Sequence, residues 1–153
     1  MRKLVLGLIV SLFLGGSVYA QPGNFGVGAI IGDPTGLHIK LWNQETRSWN
    51  FAAAWNAGAN DMLVLQGDYV FYDYDLLDVD SNDGELPVYY GIGLHLRMSE
   101  TQDSQLGVRV PLGINWVFAE APLDIFFEIA PSVNLYPETE FEMHGGIGLH
   151  YFF

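Results

Sequence analysis

The sequence predicts an all-β fold: an eight-stranded antiparallel up-and-down transmembrane β-barrel that follows an N-terminal signal peptide. Three observations predict it. Apolar residues recur at every second position through most of the chain, which is the period of a strand and not of a helix. The positions between them are rich in glycine, which suits a crowded barrel interior better than a wet surface. In the later strands the apolar positions carry no charge; such a face would aggregate in water and is required in lipid.

The elements follow in order. Residues 1–20 read as a secretory signal peptide. Arg2 and Lys3 give the positive start, Leu4 to Leu14 the apolar run, and Val18 and Ala20 flank a cleavage point. Gly15, Gly16 and Ser17 cut the run too short for a spanning helix. The remaining 21–153 is one domain long. The chain has no Cys, which excludes a disulfide framework and a lipoprotein anchor. Without Arg2 and Lys3, four basic residues (Lys40, Arg47, Arg97, Arg109) face eighteen acidic ones, a balance of −14. That repels nucleic acid and anionic lipid surfaces. Charged residues make up only 16%, against the usual quarter or so, and six of the eighteen acids fall between Asp73 and Glu85.

Strands are predicted at 24–31, 35–42, 47–56 and 62–72. They are separated by "GDPTG", "NQET" and "NAGAND", all with turn chemistry. The acidic stretch 73–86 follows and reads as a solvated, mobile loop. The fifth strand, 88–98, sets Val88, Tyr90, Ile92, Leu94, Leu96 and Met98 against Tyr89, Gly91, Gly93, His95 and Arg97. The sixth is one continuous strand over 105–118, the seventh runs over 123–135 and the eighth over 141–153. The eighth sets Met143, Ile147, Leu149, Tyr151 and Phe153 against His144, Gly146, Gly148 and His150. Counting strands puts connections 32–34, 57–61, 99–104 and 137–140 at one end, and 73–86 at the other end with both termini.

Aromatic residues support the outward apolar face. Phe25, Trp49, Tyr69, Phe71, Tyr90, Trp116, Phe118, Tyr151 and Phe153 share the apolar parity near strand ends that coincide at one rim. Trp55 and Phe141 belong to the other rim. Paired aromatic rims mark the two interfaces of a membrane barrel.

The closing "GGIGLHYFF", with Ile147, Leu149, Tyr151 and a final Phe153, resembles the last strand of small bacterial outer-membrane β-barrels, the OmpA/OmpX-like class. The stretch "GVGAIIGDPTGLHIKLW" is similar to the first hairpin of short barrels with a Gly-Asp/Glu-Pro-Thr-Gly turn. The resemblance implies a Gram-negative outer-membrane location and contact with its lipid. It also implies that Ile147, Leu149, Tyr151 and Phe153 are read by the barrel-assembly machinery. Long loops of the class normally face outward, so a long acidic segment beside the termini is a departure.

The candidate site is a lumenal charge network of Lys40, Asp68, Arg97, Arg109, Glu128 and Glu142, all on the inward parity. A closed interior forces such charges to pair. His38, His95, His144 and His150 share that parity and read as polar filling. His38 and His144, on strands flanking the first, are the pair that could come together. Asp78, Asp80 and Asn82 have calcium-turn spacing, but Asp83 stands where that loop needs Gly; no metal and no cofactor are expected. The lipid-facing parity offers no Ser or His, and Ser48 and Ser132 lie inward with no His in register, so no catalysis is expected. The function read from the sequence is a barrel with a filled polar lumen and a structural or interaction role, through an extracellular or periplasmic protein partner. One alternative is a narrow, porin-like channel or carrier for a small polar or amphipathic solute. Another is a periplasmic lipocalin-like binder.

Overall fold

The structure is a computed structural model that describes residues 24–56 and 62–153, apart from the side chains of Asn56 and Asp80. The signal peptide expected at 1–20 and the turn at 57–61 lie outside the described residues. The strands are β1 (Phe25–Asp33), β2 (Gly36–Gln44), β3 (Arg47–Asn56), β4 (Met62–Asp73), β5 (Asp80–Ser81), β6 (Gly84–Glu85), β7 (Val88–Ser99), β8 (Gln105–Arg109), β9 (Leu112–Phe118), β10 (Leu123–Tyr136) and β11 (Glu140–Phe152).

Every pairing is antiparallel, and the sheet closes on itself. β1 pairs with β2 on one side and with β11 on the other, the seam running from Gly26 opposite Phe152 to Asp33 opposite Gly145. Around the ring stand β1, β2, β3, β4, β7, the collinear pair β8 and β9, β10 and β11. That makes eight staves and no free edge among them, the condition a closed barrel satisfies.

Two expectations need correction. The predicted single strand over 105–118 is interrupted at Val110 and Pro111, because proline has no N–H to offer a ladder. Alignment survives the break: Val110 N donates to Pro131 O and Gly91 N donates to Pro111 O, both at 2.9 Å. The acidic segment is not a free loop. An Asp73 carboxylate oxygen accepts from the N–H of Asp75 and Leu76. β5 and β6 then form a small hairpin, and β6 pairs with the end of β9. Asn115 N donates to Pro87 O, and Ala119 N to Asp83 O, so the β7–β9 ladder runs on into β6. Tyr74 turns in against the barrel end, where burial pushes its phenol up to about 12. The arm sits at the same end as the start of β1 and the end of β11, the terminal end of the barrel.

The faces are inverted relative to a water-soluble barrel. Ile92 is 62% exposed on the outside, while Lys40 is 1% exposed inside. Outward positions include Leu94, Phe127, Ile147 and Leu149. Ring contacts link Trp49, Tyr69, Phe71 and Tyr90 in sequence around the terminus-side rim, with Tyr151 edge-on to Phe153 and Phe153 near Phe25. The interior holds one small apolar cluster, Ile30, Val70, Tyr72, Tyr89 and Phe126, with Trp42 and Tyr74 against it. At the first hairpin, Gly32 takes φ 150°, which favours glycine. Thr35 Oγ1 closes the turn by accepting from Gly32 N and donating to Gly32 O.

Candidate functional site

The lumen is built by one device repeated. A polar side chain on one strand meets a polar side chain two strands away, and the strand between them presents glycine at that level. Gly28 lies opposite both His38 and His150, whose Nδ1 and Nε2 are 2.6 Å apart. Gly93 lies between Asp68 and Arg109, which pair at 3.3 Å. Gly107 lies between His95 and Asn134, joined at 2.7 Å. Gly113 lies between Tyr89 and Glu128, and the Tyr89 hydroxyl donates to Glu128 at 2.9 Å. Directly paired neighbours on adjacent strands point the same way. A Cβ on the middle strand would therefore fill the space in which the outer two meet. A Cβ at Gly113 would meet the Tyr89 ring, and one at Gly107 the His95 ring.

The charges form two sets. In the first, Lys40 Nζ donates to Asp124 Oδ2 at 2.7 Å, Asn115 donates to the same oxygen at 3.1 Å, and His150 Nδ1 lies 2.6 Å from Asp124 Oδ1. His150 continues to His38. The Lys40 ammonium also sits 5.2–5.9 Å from the rings of Trp42, Tyr72, Phe126 and Phe152. Cation–π attraction of this kind adds about 0.5–2 kcal/mol per strong contact. In the second set Arg109 donates to Glu128 and Gln66 and pairs with Asp68. Desolvating such ions costs several kcal/mol each, so they persist only when paired and hydrogen-bonded.

Toward the end opposite the termini, Arg97 pairs with Glu142 at 3.5 Å. His144 Nδ1 lies 3.0 Å from the Asp33 carboxylate, and His95 packs edge-on against His144 with centroids 5.4 Å apart.

The six charges read from the sequence all face inward, and they divide as Arg109 with Asp68 and Glu128, Arg97 with Glu142, and Lys40 with a residue outside that list. Lys40's partner is Asp124, whose inward parity in "LDIFFEIAP" was the available signal. Gln66 and Tyr89 are further members that charge counting passes over. His38 and His144, which parity allowed to come together, do not meet: His38 meets His150, because Gly28 sets those two at one level. His144 belongs with His95 and Glu142. Asp78 and Asn82 are exposed in the docked arm, and the Asp80 side chain lies outside the described residues. Ser48 donates to Asn50, and Ser132 to Ala130 O; neither is hydrogen-bonded to a histidine. Ile147, Leu149, Tyr151 and Phe153 are exposed on the outer face, and Phe153 N donates to Phe25 O.

Among curated proteins nothing matches the chain. Among solved structures, the crystal structure of the N-terminal β-barrel domain of Pseudomonas aeruginosa OprF is similar, with TM-score 0.59 and 10% identity, over 87% of this chain and 100% of that one. At that identity the likeness concerns the fold. A family match spans residues 18–152, nearly the whole barrel, and the chain belongs to that family, DUF3996, a family of proteins of unknown function.

Proposed function

We propose that this protein is an integral outer-membrane β-barrel, exported by residues 1–20, with a structural or interaction role and no catalysis. The observation that carries the reading is the inverted burial. Apolar side chains such as Ile92, Phe127 and Ile147 are exposed around the barrel wall, while Lys40, Arg109, Asp124 and Glu128 are at most 2% exposed inside it. That arrangement is adverse in water and favourable in a bilayer, where a closed barrel leaves no backbone edge unpaired. The alternation of burial along each strand is the reverse of a lipocalin-like binder, whose apolar face points in. Lipid is the surrounding solvent in this reading, and Ile147, Leu149, Tyr151 and Phe153 are the segment that the assembly machinery reads. A protein partner would meet the short turns at one end or the docked acidic arm at the other; nucleic acid is excluded by charge.

Fractionation of cells making the full chain and a Phe153 deletion tests the location. The full chain is expected in the outer-membrane fraction with heat-modifiable gel migration, and the deletion is expected to accumulate in the periplasm and be degraded. Soluble full-length protein would sink the reading. The ion pairs across the lumen make the barrel a filled body, so purified protein in planar bilayers is expected to stay silent. Sustained single-channel steps would replace this reading with the narrow channel.

A further inference from the structure

We propose that His95, His144 and Glu142 form a binding site for one divalent transition-metal ion of the zinc class, in the lumen near the end opposite the termini. The three residues come from β7 and β11, which do not pair with each other. Each brings one possible ligand atom, and these atoms lie within 4.8 Å of one another.

The hydrogen-bond pattern fixes what those atoms offer. His144 Nδ1–H donates to the Asp33 carboxylate at 3.0 Å, which in the neutral imidazole leaves Nε2 as a lone pair. His95 Nε2–H donates to the Asn134 side-chain oxygen at 2.7 Å, which in the neutral imidazole leaves Nδ1 as a lone pair. His95 Nδ1, His144 Nε2 and Glu142 Oε2 are all buried and all without a hydrogen-bond partner. His144 Nε2 and Glu142 Oε2 approach to 3.1 Å with no hydrogen bond between them. With His144 neutral these are two acceptors, which repel at that distance unless a proton on Nε2 or a bound cation lies between them. Arg97 neutralises the other carboxylate oxygen, Glu142 Oε1, at 3.5 Å and leaves Oε2 unshared.

A metal cation supplies what is missing. Two imidazoles and one carboxylate are a common zinc donor set, with bonds of about 2.0–2.2 Å. Tetrahedral geometry at that radius puts ligand atoms roughly 3.3 Å apart, close to the His144–Glu142 separation. A small side-chain rotation closes the remaining donor from within 4.8 Å. The oxygen behind each imidazole orients the ring and raises its basicity, as the partners of metal-binding histidines do. Neutral imidazoles and one carboxylate favour a borderline ion such as Zn²⁺ over Ca²⁺ or Mg²⁺, which prefer all-oxygen sites. The histidines are 2% and 4% exposed, while Arg97 and Glu142 are 21% and 22% exposed, so an ion would enter past Glu142. Three protein ligands leave a fourth position for water or an anion.

The test is calorimetric titration of ZnCl₂ into the chelator-treated, folded chain in detergent. One zinc per chain with a micromolar or tighter dissociation constant is expected. His144→Gln and Glu142→Gln should each weaken binding at least tenfold, and Asp78→Asn in the acidic arm should not. Zinc that fails to saturate at one per chain, or affinity unchanged in both site variants, overturns the proposal. Should His144→Gln lose heat-modifiable migration, Glu142→Gln and the Co²⁺-loaded wild type decide the question. Intense visible bands of four- or five-coordinate Co²⁺ support the site, and the weak spectrum of hydrated Co²⁺ refutes it. Both outcomes are independent of whether the barrel resides in an outer membrane.

Discussion

Two regions of the lumen are made from the same ingredients and end in opposite states. Each holds two histidines, a cation and the carboxylate that pairs with it: His38, His150, Asp124 and Lys40 in one, His95, His144, Glu142 and Arg97 in the other, where Asp33 also stands behind His144. In the first set the carboxylate lies between the cation and an imidazole. Contacts of 2.6–2.7 Å then run without a break from Lys40 through Asp124 and His150 to His38. In the second the cation stands off at 3.5 Å, and three acceptor atoms face one another unpartnered. Composition is therefore a poor guide to role. The placing of the carboxylate decides whether four such residues form a closed strut or an open donor set.

The comparison is easiest to break at its closed half. Asp124→Ala strands the Lys40 ammonium at 1% exposure and is expected to lower unfolding free energy by about 3–5 kcal/mol, read by urea titration in micelles. Replacing both ions, Lys40→Met with Asp124→Leu, should recover most of that loss; no recovery would mean that the pair is more than a mutual neutralisation. Gly107→Ala has a smaller effect, roughly 1–3 kcal/mol, because its new methyl meets the His95 ring and Val133 O. Smallest of all is Glu142→Gln without metal, within about 1 kcal/mol, since the 3.5 Å ion pair it removes is partly exposed. A loss as large as that of Asp124→Ala would show that the open set is a strut after all.

Much of the architecture is legible in the sequence, and for a definite reason. A strand's two faces alternate without slack, so "PVYYGIGLHLRM" assigns each residue to a face, and His95 and Arg97 indeed lie inside and Ile92 and Leu94 outside. The short turns then force an up-and-down order. What parity does not carry is height. Which inward residues share a level depends on register around the whole barrel. That is why parity alone matches Asp124 with no particular cation and leaves His38 free to meet either His144 or His150. The glycines held part of the answer. They were legible as room in a narrow lumen, but the role of Gly28, Gly93, Gly107 and Gly113 as windows between second neighbours needs the register itself. The acidic arm is legible only in part. Its described acids are exposed, as their charge implies, but its docking rests on backbone bonds from Asn115 and Ala119, which composition does not reveal.

The seam between β1 and β11 also sets a clock. Gly26 pairs across with Phe152, so the two staves that close the ring are the first and last of the barrel. Neighbouring hairpins such as β1–β2 and β3–β4 need only local search, but the seam must close a loop spanning the whole barrel, from Gly26 to Phe152. Loop closure of that length is slow for all-β topologies. Until it happens, both outer strands expose unpaired N–H and C=O groups to any other chain in the same condition. The hazardous interval in this protein's life is therefore the one before its last strand arrives, and whatever escorts the unfinished chain must cover two edges at once.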